Sequence, residues 1–146
     1  MKEIVVFSLS SALYGIDIQK IKGIIVYSQL LITPLFNEKE FVIGIANIRG
    51  EVIPVIDLRK KFNYEVKYDE ETVVLIIYTN EGKWIGIVVD FIRRIEEINP
   101  EFIKQPQLIK GIDKKYLEGL IKIDDDMITI LNIDLLLNIK ELEDEK

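Results

Sequence analysis

Asn47-Ile48-Arg49-Gly50-Glu51-Val52-Ile53-Pro54-Val55-Ile56-Asp57-Leu58-Arg59 places an arginine and a glycine between two apolar, β-branched runs. That is the pattern of a hairpin with a tight two-residue turn. The stretch returns later in altered form. Counting from Gly44, GIANIRGEVIPVIDLRKKF aligns without a gap to GLIKIDDDMITILNIDLLL from Gly119, matching Ile48 to Ile123, Ile53 to Ile128, Val55 to Ile130 and Leu58 to Ile133. The likeness extends upstream, where Ile4 to Asp17 and Val73 to Asp90 each run from an apolar strand through a polar turn to an aromatic residue, a glycine and an aspartate. One unit used twice explains this order of parts better than independent β-patterning does.

Strands are expected at 4–9, 12–17, 21–27, 42–48 and 51–56 in the first unit and at 72–79, 83–89, 92–98, 117–123 and 126–131 in the second. A short turn is expected at Ile18 to Lys20. Short strands joined by turns rather than crossover helices predict antiparallel sheets closed into small barrels. Pro54, which has no N–H to give a ladder, predicts an edge or bulge position. Each unit closes with a short helix, for which Asp57 and Asn132 are suitable N-caps. Leu58 with Phe62, and Ile133 with Leu137, then lie one turn apart as core anchors. The expected organisation is a single domain of two pseudo-repeated barrels, with approximate halves 1–66 and 67–140 and strands open to exchange between them. The acidic stretch Glu141 to Lys146 reads as a frayed helix end.

Composition narrows the function. The chain has 146 residues, and 49% of them are hydrophobic, in short runs broken by charge. None of these runs reaches the ~18 apolar residues that mark a membrane span. Met1-Lys2-Glu3 leads straight into a strand, unlike a signal peptide, so a cytoplasmic location is expected. A net charge of −6 with scattered basic residues argues against nucleic acid as a partner. There is no cysteine and no histidine. The chain therefore has no Ser-His or Cys-His couple, no imidazole acid or base and no ordinary zinc site. Phosphate-cradling glycine motifs are also missing, so neither an enzyme nor a cofactor-binding protein is expected.

Three polar features remain. Asp124-Asp125-Asp126 falls at the tip of the second hairpin, opposite Arg49-Gly50 in the repeat, and reads as a solvated turn rather than a metal site. Asp90 and its counterpart Asp17 end strands and read as turn or edge residues. Arg49 is different, because its counterpart is Asp124. The two units have diverged in charge at equivalent exposed tips, and a planar fork of donors suits partner recognition.

Val6 to Leu9, Tyr14 to Ile18, Gly44 to Arg59, Gly86 to Asp90 and Gly119 to Leu137 together resemble the CheW family of chemotaxis coupling proteins. The likeness runs through nearly the whole chain in order, and Asn-x-Arg-Gly followed by Pro-Val-x-Asp-Leu-Arg is its most specific part. The resemblance implies a mainly β fold of two intertwined, SH3-like, five-stranded barrels. It also implies a non-catalytic adaptor that joins membrane chemoreceptors to a cytoplasmic histidine kinase. By implication Asn47, Arg49 and Gly50 belong to the hairpin tied to kinase coupling and receptor contact, while Ile21 and Val73 match apolar partner surfaces. One barrel would dock on the SH3-like regulatory domain of the kinase, and a groove between barrels would accept the tip of the receptor's helical hairpin. The chain departs from the common pattern at Gly23, where an acidic residue is frequent, and at bulky Phe91. A coupler of a non-flagellar array, serving pilus motility or gene control, would share this sequence pattern. A small-molecule-binding barrel would instead need polar groups among the inward Ile, Val and Leu positions.

Overall fold

A computed structural model of the chain describes residues 1–36, 39–105 and 112–137. The first unit supplies β1 (Lys2–Leu9), β2 (Ala12–Asp17), β3 (Ile21–Val26), β4 (Thr33–Pro34), β5 (Val42–Ile48), β6 (Glu51–Asp57) and helix α1 (Leu58–Lys61). The second supplies β7 (Val73–Tyr78), β8 (Trp84–Val89), β9 (Phe91–Ile98), β10 (Leu117–Ile123), β11 (Asp126–Leu131) and helix α2 (Ile133–Leu136). Strand β4 is not among the expected strands, and the other bounds lie within a residue or two of the expected ones. The 3-10 turn at Ile18–Lys20 is present, capped by the Asp17 carboxylate, which accepts from the Gln19 amide. Asp57 and Asn132 cap α1 and α2 by accepting from Arg59 N and Leu135 N. The acidic stretch at 141–146 lies outside the described residues.

The strands form two sheets, in the orders β10-β11-β2-β1-β9 and β3-β7-β8-β6-β5-β4. Each sheet therefore takes the opening hairpin of one unit and the remaining strands of the other. Each graft has an antiparallel side, β1 on β9 or β7 on β3, and a parallel side, Leu13 to Gly15 against Ile128 to Ile130 or Val55 to Asp57 against Gly86 to Val88. The wholly antiparallel expectation is corrected here, because a hairpin inserted from the other unit meets one of its two new neighbours in parallel. Pro54 is corrected too. Strand β6 is central rather than an edge, but its ladder to β8 begins only at Val55, so Pro54 stands where no β8 acceptor needs an N–H.

Three apolar clusters follow from this exchange. Ile4, Val6, Ile98, Ile121, Ile128 and Ile130 fill one barrel. Ala46, Ile48, Ile53, Val55, Val74, Ile76 and Val88 fill the other. The largest cluster, nineteen buried residues against six and seven, lies between the barrels and draws on Phe7, Leu9, Leu75, Ile77, Ile87 and Val89 of the exchanged hairpins. Those hairpins are buried on both faces. This is why β1 and β7 read as continuous apolar runs, whereas β3 and β9 alternate.

The repeat is kept at a close approach. A Cβ on Gly44 would stand 2.3 Å from the Thr33 carbonyl oxygen, and one on Gly119 would stand 2.1 Å from that of Lys104. Each glycine lies where a short edge segment crosses the sheet, at the β4–β5 pairing or at the Lys104–Leu120 bridge. Gly44→Ala and Gly119→Ala are each expected to cost about 1–3 kcal/mol in urea unfolding, the usual range for overpacking a rigid site. Gly23→Ala, whose new methyl would meet nothing closer than 3.6 Å, should fold normally.

Candidate partner-docking site

The β5–β6 hairpin closes at the Ile48–Glu51 pair, with Arg49 and Gly50 at φ 55° and 84°. Positive φ at both central residues is the turn whose twist matches paired strands. Gly50 meets this demand without cost, whereas the Cβ of Arg49 makes it unfavourable by about 1 kcal/mol. The Asn47 side chain steadies the turn by accepting from Gly50 N at 3.2 Å. Ile48 points into the barrel core, leaving Asn47, Arg49 and Gly50 exposed around it.

Arg49 reaches across the mouth of its barrel to β3, where its Nη2 lies 3.7 Å from the position a Cβ would take on Gly23. Among the described residues no carboxylate pairs with it. Beneath it is a cleft of about 290 Å³ lined by residues that include Gly23, Ile24, Glu51 and Trp84. Ile24 is 52% exposed, and Val52, beside the tip, is 66% exposed. Neither was singled out from sequence, although the alternation in β3 was the available signal. The equivalent tip carries Asp124 at φ 56° and Asp125, both exposed. Asp126 is not merely solvated, because it pairs with Arg94 at 2.9 Å.

Ile21 and Val73 fall elsewhere. Ile21 pairs with Ile77 and Val73 with Val26, so they stand at opposite ends of the β3–β7 ladder. Both are partly buried against the core between the barrels. Ile21 lies two residues from Gly23 and the Arg49 tip, whereas Val73 does not join that site.

A buried charged cluster also went unread. Arg59 and Asp57 are both fully buried. Arg59 donates from Nε and Nη2 to the two Asp57 oxygens at 2.9 and 3.0 Å, and from Nη1 to Asp90 Oδ1 at 2.8 Å and Lys67 O at 2.6 Å. Tyr68 donates its hydroxyl to Asp57 at 2.9 Å and offers its ring face to the guanidinium at 4.8 Å. Burial opposes the Arg59 charge, but its bonds to Asp57 and Asp90 outweigh that and hold its pKa above the ordinary value. Burial, followed by the Asp57 charge, pushes the Tyr68 hydroxyl up as well. Asp90 also accepts from Ser10 N in the β1–β2 turn. The strand-end aspartate read as a turn or edge residue thus ties one sheet to the other.

A second groove, of about 480 Å³, opens between the elements of the two units. Its walls include Val52 and Pro54 of β6, Gly82 and Trp84 of the second opening hairpin, and Leu137 after α2.

Comparison with known proteins agrees with this architecture. The family model described as a CheW-like domain matches residues 3–141. The chain is 35% identical over 143 residues to a chemotaxis protein CheW from Klebsiella aerogenes, covering 97% of this chain and 84% of that one. It is 32% identical over 146 residues to a chemotaxis protein CheW from Treponema pallidum, covering 97% and 85%. The crystal structure of the scaffolding protein TtCheW from Thermoanaerobacter tengcongensis superposes with a TM-score of 0.83 at 35% identity, over 92% of this chain and 86% of that one. With two intertwined SH3-like barrels, a family model spanning almost every residue and relatives alike over most of their length, the chain belongs to the CheW family.

Proposed function

We propose that the chain is a non-catalytic chemotaxis adaptor, working in the cytoplasm, that couples transmembrane chemoreceptors to a histidine kinase. The observation that carries the reading is the charge difference between the two equivalent hairpin tips. Arg49 is exposed and unpaired among the described residues, and the apolar Ile24 and Val52 lie beside it, whereas the other tip is acidic. A cation fixed by its turn, next to exposed aliphatics, gives orientation and affinity together. The kinase's SH3-like regulatory domain is the partner assigned to this tip. The receptor's helical hairpin is assigned to the groove between the units, whose apolar walls suit helix-in-groove recognition.

The test is kinase autophosphorylation with kinase alone, with receptor added, and with this protein added last. The third mixture is expected to differ clearly from the second. Arg49→Asp should weaken coupling by about tenfold or more, since it removes an oriented cation and adds repulsion. Asp124→Arg should leave coupling nearly intact. Both changes are at exposed turns and should shift stability by only about 0.5 kcal/mol. If the two variants lose coupling equally, the tip asymmetry does not mark the partner surface.

A further inference from the structure

The tie that fastens the first opening hairpin has a counterpart with its charges exchanged. In the first, Asp90 accepts from the Ser10 amide of the β1–β2 turn and is held by Arg59. By the repeat alignment Asp134 stands where Arg59 does, and Asp134 itself accepts from the Asn80 amide of the β7–β8 turn at 2.7 Å. The cation here is Lys20, whose Nζ lies 2.7 Å from Asp134 Oδ2 and also donates to the Asn80 side chain. Asp17, the positional counterpart of Asp90, caps a 3-10 turn instead.

The two ties also differ in exposure. In the first tie the cation Arg59 is 0% exposed and Asp90 20%, whereas in the second the cation Lys20 is itself 23% exposed and Asp134 24%. A partly solvated ion pair is weaker and is screened by salt, so the second tie is the one that can open. It joins the β7–β8 turn to α2. Gly82 lies in that turn, Trp84 opens β8 directly after it and Leu137 follows α2, and all three line the 480 Å³ groove together with β6.

We propose that the Lys20–Asp134–Asn80 tie is a salt-sensitive latch that sets the width of the groove between the units. Closed, it pins the β7–β8 turn to α2. With either charge removed, the turn moves away from α2 and the groove loosens, while the buried Arg59 tie keeps the two sheets together. Lys20 and Asp134 act here as positioning residues. The latch's consequence for coupling rests on the groove receiving the receptor tip, as proposed above.

Trp84 is the chain's single tryptophan, lies in the groove wall and packs on Tyr78 with ring centroids 4.7 Å apart. It reports the latch directly. Acrylamide quenching of Trp84 and amide exchange across residues 79–83 are to be compared in the wild type, Lys20→Gln and Asp134→Asn. Lys2→Gln, which breaks the remote Lys2–Glu118 pair, is the control. Quenching is expected to rise about twofold in both latch variants, with faster exchange confined to the turn. The control should match the wild type. Raising NaCl to about 1 M should move the wild type toward the variants and leave the variants unchanged. Wild-type quenching and turn exchange in both latch variants would overturn the proposal. Binding of a soluble receptor-tip fragment is measured separately. Loosened Trp84 with unchanged affinity would leave the latch standing and remove the groove from the coupling account.

Discussion

Arg59→Met is expected to lower stability by about 3–5 kcal/mol, because it leaves charge buried without a partner. Asp57 is fully buried and Asp90 mostly so, and both face the guanidinium. Methionine fills much of the arginine's volume but donates nothing, so four hydrogen bonds are lost at once. Arg59→Lys should fall between methionine and wild type. One ammonium cannot reproduce the planar fork that spans Asp57 while also reaching Asp90 and Lys67. The double variant Arg59→Met/Asp57→Asn should recover part of the loss. The asparagine oxygen can still cap α1 through the Arg59-position amide, and one buried charge is gone. Urea unfolding of the four proteins decides the matter. A loss of under about 1 kcal/mol in Arg59→Met would mean that the carboxylates find water or protonate without penalty.

The same cluster shows where sequence reading stops. The strands were legible because each hairpin has local turn chemistry and each face its own apolar period. The doubly buried hairpins announced themselves as the unbroken runs of β1 and β7. The helix caps were legible for the same local reason. Arg59 was not, since its bond to Asp90 spans 31 residues and depends on which sheet receives β8. Parallel ladders between units have no turn to fix their register, so their existence follows only from the assembled fold. Of the five residues proposed for partner contact, Asn47, Arg49 and Gly50 share a tip because three neighbours in a turn must do so. Val73 lies apart from them, because neither an apolar residue's strand nor its place along that strand says which site it will join.

Severing the chain between residues 66 and 67 is expected to abolish folding of either piece alone and to allow recovery when the pieces are mixed. The reason lies in the ladders. Strand β1 pairs with β9, β2 with β11, β3 with β7 and β6 with β8, and every one of these pairings crosses the cut. Piece 1–66 keeps the β1–β2 hairpin and the β4–β5–β6 strip, with β3 unpaired. Piece 67–146 keeps two hairpins, β7–β8 and β10–β11. Isolated hairpins are marginal at best in water. The large cluster between the barrels draws on both pieces, so each alone exposes apolar faces at about 1.5–3 kcal/mol per large side chain. That sum exceeds the whole stability of a domain, about 5–15 kcal/mol, after only a few residues. The cut itself falls in the partly exposed segment 63–71, outside any strand, so mixing should restore the native ladders. Amide dispersion in NMR spectra of each piece and of the mixture distinguishes the outcomes. Native-like dispersion and a cooperative melt from either piece alone would show that one unit folds without the other's hairpin, and the exchange would then be decoration rather than the source of stability.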